Sequence, residues 1–73
     1  MAVFRVDLLI DDPYPVFDWL DEHVAKELVV RRMAYKTIKG WYMKIVFKQQ
    51  GDAESFHRRW YPDAEDHTVK PFN

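Results

Sequence analysis

From Trp41 to Lys48 the chain changes character at every residue. Trp41, Met43, Ile45 and Phe47 alternate with Tyr42, Lys44, Val46 and Lys48. A strand turns successive side chains to opposite faces, so a period of two specifies a strand with one core face and one mixed face. The same period runs near the N-terminus, where Phe4, Val6, Leu8 and Ile10 alternate with Val3, Arg5, Asp7 and Leu9. Two strands with one strongly apolar face each require an amphipathic layer to cover that face.

Two segments can supply it. Asp11-Asp12-Pro13 ends the first strand and predicts a helix over residues 13–26, with Asp12 capping and prolines 13 and 15 confined to the first turn. Val16, Phe17, Leu20 and Val24 recur at helical spacing, with Asp18, Asp21 and Glu22 opposite. Gly51-Asp52 predicts a second helix with Asp52 as its N-cap, ending before Pro62. On it Ala53, Phe56, His57 and Trp60 share one side and Ser55, Arg58 and Arg59 the other. The run FHRRWY looks like a recognition patch by composition, but this spacing divides it between core and solvent.

Residues 28–37 are β-branched, aromatic and basic, which predicts a second strand. Ile38-Lys39-Gly40 fits a three-residue hairpin loop ending in a left-handed glycine. That register sets Thr37 opposite Trp41 and turns Met33 and Tyr35 inward with Met43 and Ile45. A two-residue loop would instead turn Arg32 inward, at the cost of desolvating a guanidinium, so the longer loop is expected. Residues 67–72 can add a short edge strand that tolerates Pro71. The order β-α-β-β-α-(β) is that of a ferredoxin-like α+β domain over residues 1–73, with two helices on one face of an antiparallel sheet.

Such a small domain lies near the lower limit for folding without staples, and with no cysteine it has no disulfide to help. Three tryptophans and five phenylalanines compensate, because each aromatic buries a large area. Absence of cysteine fits a cytoplasmic location. No apolar run approaches the length of a membrane span, so no membrane association is expected.

Charge is segregated along the chain. Residues 7–27 hold seven acids and one base, a net of −6, whereas residues 28–51 hold six bases and no acid, a net of +6. In the expected fold the sheet face away from the helices carries Arg5 and Leu9 from the first strand, Arg32 and Lys36 from the second, and Tyr42, Lys44, Val46 and Lys48 from the third. An apolar centre rimmed by charge is the anatomy of a protein interface. Tyr42, Val46 and Leu9 would give contact area, and the bases would steer an acidic partner. Self-association into a homodimer would hide the same face, with the acidic segment of one copy meeting the basic segment of another; a homodimer or docking on an acidic partner is the leading expectation.

The alternative is single-stranded nucleic acid, with Tyr42 stacking on a base and Arg32, Lys44 and Lys48 at phosphates. Lys39-Gly40-Trp41-Tyr42-Met43 resembles the start of the third-strand motif of RNA recognition motifs, and Val3-Phe4 with Asp7-Leu8 resembles their first-strand motif. That family requires the residues at positions 41 and 43 to face solvent, whereas here Trp41 and Met43 belong to the apolar set.

Catalysis and cofactors are not expected. Asp11-Asp12 is explained by helix capping, and two glycines leave no phosphate-binding loop. His23, His57 and His67 could meet Asp63, Glu65 and Asp66 at a metal, but their spacing matches no ligand motif, so no metal site is expected.

A broader resemblance covers most of the chain. The run Val6 to Pro13, then Gly40-Trp41-Tyr42-Met43, Phe47, Asp52-Ala53, Phe56 and Arg59-Trp60 together resemble a family of small proteins encoded by tailed bacteriophages. The resemblance implies a small α+β fold and a phage origin, and it brings no activity or functional residues. It favours a host-directed binding protein in the host cytoplasm, such as an inhibitor of a host enzyme or defence system.

Overall fold

The computed structural model describes residues 2–72 of the chain. Strand β1 (Phe4–Ile10) leads into helix α1 (Tyr14–His23), a 3₁₀ turn (Lys26–Leu28), strands β2 (Val29–Thr37) and β3 (Gly40–Phe47), and helix α2 (Gln50–Trp60). This is an α+β arrangement with a three-stranded antiparallel sheet, ordered β1-β3-β2. Residues 67–72 do not form a full fourth strand. They meet the outer edge of β1 in a single bridge, Phe4 to Pro71, beside a 2.7 Å hydrogen bond from Phe72 N–H to the Val3 carbonyl.

Both strand patterns place their apolar set as the periodicity requires. Phe4, Val6, Leu8, Met43, Ile45 and Phe47 are buried under the helices. From α1 come Val16 and Leu20, followed by Val24; from α2 come Ala53 and Phe56. Aromatic rings join the layers: Phe56 lies 5.3 Å from Phe47, 5.0 Å from Trp60 and 5.7 Å from Trp19. Truncating so central a ring to alanine typically costs about 3–5 kcal/mol.

The helix starts differ from expectation. α1 begins after Pro13, and Asp12 Oδ1 accepts the Tyr14 N–H at 3.0 Å from just outside the helix. Its helical turns stop at His23 because Val24 is extended (φ −130°) and turns its side chain into the core. α2 begins at Gln50, so Asp52 lies inside the first turn and is not the N-cap.

The β2–β3 hairpin corrects the expected register. Thr37 pairs with Gly40, Lys36 with Trp41 and Tyr35 with Tyr42, so the loop is the two residues Ile38-Lys39. No described residue other than glycine has positive φ, and Gly40 takes φ 134° immediately after the turn. Glycine is required there, since a Cβ would stand 2.8 Å from the Ile10 carbonyl oxygen. In this register Arg32, Ala34 and Lys36 share the helix side with Ile45, Met43 and Trp41, while Met33 and Tyr35 share the open side.

The penalty that argued against this register does not arise. β2 is an edge strand, and its helix side is only partly covered. Arg32 is only partly buried there, donates to Asp21 Oδ1 at 2.8 Å, and lies 5.9 Å from the centre of the Phe17 ring. Lys36 is exposed over the Trp41 ring at 5.5 Å. A shift in register between Val29 and Arg31 places a bulge near the start of β2.

Candidate functional site

The registers assemble the open face as rows across the sheet. In the order β1, β3, β2 they are Leu9–Tyr42–Tyr35, then Asp7–Lys44–Met33, then Arg5–Val46–Arg31. Five expected face residues, Arg5, Leu9, Tyr42, Lys44 and Val46, are therefore neighbours. Lys48 lies just past β3, exposed, with its backbone N–H bonded to the Leu28 carbonyl. Arg32 and Lys36 are corrected to the helix side, and Arg31, Met33 and Tyr35 take their place.

Tyr35 and Tyr42 form the aromatic centre. Their rings are 5.8 Å apart and parallel to within 4°. Leu9, Val30, Tyr35 and Phe72 keep between 43 % and 50 % exposure, which makes an apolar strip continuous with Val46 and Met33. Phe72 reaches this face from the C-terminal segment, and the Arg5 guanidinium stands 4.9 Å from its ring centre. At that end a groove of about 350 Å³ is lined by Val3, Arg5, Val30, Arg31, Lys44, Val46 and Phe72.

Asp7 is the one acid in these rows, and it is fully engaged. Arg5 donates to its two oxygens at 2.8 Å each, and the Tyr42 hydroxyl donates at 2.6 Å. The Arg5 hydrogen bonds are the main reason its carboxyl lies below the usual range; the bond from Tyr42 adds to this, while burial opposes it. The Tyr42 hydroxyl is raised chiefly because it donates to that carboxylate. Arg31 and Lys44 remain as cations beside an apolar strip, so the face is basic.

A second concavity of about 430 Å³ lies along the outer edge of β1, lined by Arg5, Val6, Asp7, His57, Tyr61, Thr68, Val69 and Lys70. The Tyr61 hydroxyl donates to the Asp7 carbonyl at 3.0 Å, occupying a backbone acceptor on that edge. His57 Nδ1 and His67 Nδ1 are 3.1 Å apart, one carrying the proton and the other accepting. Burial first, and then the charge of His67, lower His57 below the ordinary histidine value. Two imidazoles facing each other pair two bases, and this is not a nucleophile–base relay. His23 lies elsewhere, stacked on Trp19 at 4.6 Å with Nδ1 3.0 Å from the Trp19 carbonyl.

Side chains of α2 hold the C-terminal segment. Glu54 Oε2 accepts the Val69 N–H and Gln50 Nε2 donates to the Val69 carbonyl, each at 3.1 Å. These two residues, four apart on one helix face, satisfy both backbone groups of Val69 as a neighbouring strand would.

No protein-family model, curated protein or solved structure matches the chain. Among the described residues no helix is long and apolar enough to cross a membrane.

Proposed function

We propose that the chain is a small non-enzymatic binding protein whose open sheet face docks on an acidic surface of another protein. The observation that carries this reading is the Tyr35–Tyr42 pair, Tyr35 exposed and Tyr42 partly so, set in an apolar strip and flanked by Arg31 and Lys44. Tyrosine, methionine and arginine are among the residue types enriched at protein interfaces. The face supplies all three, and Asp7 is neutralised by Arg5 so that it does not oppose an acidic partner. The ferredoxin-like architecture is part of the proposal. Its support is the β1–α1–β2 path around an antiparallel β3, together with a C-terminal segment that lies beside β1. The resemblance to small phage proteins makes a host protein in the cytoplasm the natural partner.

Burial of the face against a second copy is the competing form. Two such faces stacked symmetrically would bring Arg31 and Lys44 of both copies into one interface, while Asp7 of each is already taken up by Arg5, which favours a different, acidic chain. Affinity isolation from host extract tests the reading, with Tyr42→Ala and Lys44→Glu run beside Arg58→Ala. Capture that depends on positions 42 and 44 but not on 58 is expected. Light scattering at micromolar concentration showing a dimer abolished by Tyr42→Ala would assign the face to a second copy.

One observation favours single-stranded nucleic acid as a second reading: Tyr35 adds a second aromatic to the face, and stacking contributes about 1–3 kcal/mol per base. Against it, Met43, which occupies a base-stacking position of the motif, is fully buried under the helices. Titration of labelled oligonucleotides at low salt decides. Binding that is weakened by Tyr35→Ala, Tyr42→Ala and added salt would support it, and no binding would remove it.

A further inference from the structure

The two edges of the sheet are treated differently. The outer edge of β1 is occupied by the Phe4–Pro71 bridge, the Phe72 hydrogen bond to Val3 and the Tyr61 hydroxyl on Asp7. The outer edge of β2 is open. β2 is nine residues long, and among the described residues no backbone or side-chain group bonds to the outward N–H and C=O groups of its middle section. Alternate residues of an edge strand present both groups to whatever extended chain comes beside them.

Charge selects the occupant. Arg31 flanks this edge on the open side, and Arg32 and Lys36 on the helix side. There is no acid between residues 28 and 51. Arg32 is already paired with Asp21, so pairing β2 with β2 of a second copy would gather Arg31 and Lys36 of each strand at one junction with no free acid from β2, which disfavours self-pairing. The same cations complement an extended segment rich in aspartate or glutamate. On the open side Met33 and Tyr35 offer apolar contacts to its alternate residues; on the helix side Ala34 leaves space between Arg32 and Lys36.

We infer that the free edge of β2 takes up an acidic, extended peptide segment as an added strand, with backbone hydrogen bonds supplying the pairing and Arg31 and Lys36 choosing the sign. The bulge between Val29 and Arg31 limits the pairing to the stretch from Arg31 onward. The edge shares Arg31, Met33 and Tyr35 with the open face but not Tyr42 or Lys44, so sensitivity to N-methylation of the peptide marks the edge and sensitivity to Tyr42→Ala marks the face.

The test titrates the full chain at low salt with an end-blocked seven-residue peptide of alternating glutamate and valine. Two controls are its lysine counterpart and a version N-methylated at alternate amides. Amide chemical shifts and hydrogen exchange are read along the chain. The glutamate peptide is expected to slow exchange at outward amides within residues 31–37. Affinity should fall at least tenfold on N-methylation, on exchange of glutamate for lysine, and on raising salt. The variant R31E/K36E, changed only at exposed positions, should prefer the lysine peptide. Equal binding of the N-methylated peptide, shifts centred on Tyr42 without protection in β2, or no binding at millimolar peptide would overturn the inference. So would protection in β2 that rises with protein concentration alone, which would mark a second copy as the occupant.

Discussion

The Tyr42 hydroxyl donates a 2.6 Å hydrogen bond to Asp7 Oδ2, diagonally across the β1–β3 ladder, and so ties the aromatic centre of the open face to its only acid. Asp7 also accepts two bonds from Arg5, so three donors hold the carboxylate, and the Tyr42 ring lies parallel to Tyr35. Tyr42→Phe should lower stability by about 1 kcal/mol, because it removes a hydrogen bond to a charged but partly exposed acceptor. Chemical denaturation measures the loss, and an unchanged midpoint would show that the bond contributes nothing.

Asp7 also predicts a pH dependence. Its folded pKa lies below the unfolded value, chiefly through the Arg5 hydrogen bonds. Its stabilising contribution is therefore complete above about pH 4, the ordinary aspartate range, and is lost as pH falls through the lowered folded value. Arg5→Gln should be less stable than wild type at neutral pH, and the gap should narrow progressively below about pH 4. A gap that stays constant down to pH 2 would contradict the assignment.

Gly40→Ala should destabilise the fold by about 2–3 kcal/mol, combining a left-handed backbone with the clash at the Ile10 carbonyl. Thermal unfolding reads this directly. Gly51→Ala is the control, since a Cβ there meets nothing within 4 Å and sits in the first turn of α2.

The hairpin around Gly40 marks the limit of what the sequence discloses. Alternation in β1 and β3 was legible because each strand has one continuously apolar face, and helix spacing was legible in Val16, Leu20, Phe56 and Trp60 for the same reason. β2 has no such signal: it is an edge strand whose helix side need not be dry, so Arg32 can sit there, bonded to Asp21, without entering the core. The desolvation argument for the longer loop assumed a burial that the edge does not impose. That one-residue difference exchanged Arg32 and Lys36 for Arg31, Met33 and Tyr35 on the open face. Phe72 joined the face through an isolated bridge at the start of β1, for which the local pattern carries no period.

Glu54→Ala should loosen the C-terminal segment by about 1 kcal/mol, the scale of a partly exposed hydrogen bond to a carboxylate. Hydrogen exchange at Val69 and Phe72 should quicken while β3 amides keep their protection. Unchanged exchange at Val69 would mean that Gln50 and burial of the Val69 side chain suffice.

His57 adds a second pH effect. Its folded pKa is depressed by burial and by His67, with Asp66 opposing. The unfolded chain thus binds the proton more readily, and stability should decline as pH falls from about 6.5 toward the lower folded value. His57→Gln should flatten stability over that window. Nuclear magnetic resonance titration of the imidazole shifts checks the direction, and a His57 that titrates above the ordinary histidine value would contradict it.

The central claim is that the open sheet face contacts a different, acidic protein. A photo-reactive amino acid placed at Val46, in the middle of that face, and in a second variant at Arg58, on the exposed side of α2, tests it in the producing cell. Cross-linking from position 46 to an acidic protein, absent from position 58 and abolished by Tyr42→Ala, is the result predicted. No product from position 46, equal products from both positions, or a product of twice the chain's own mass would contradict it.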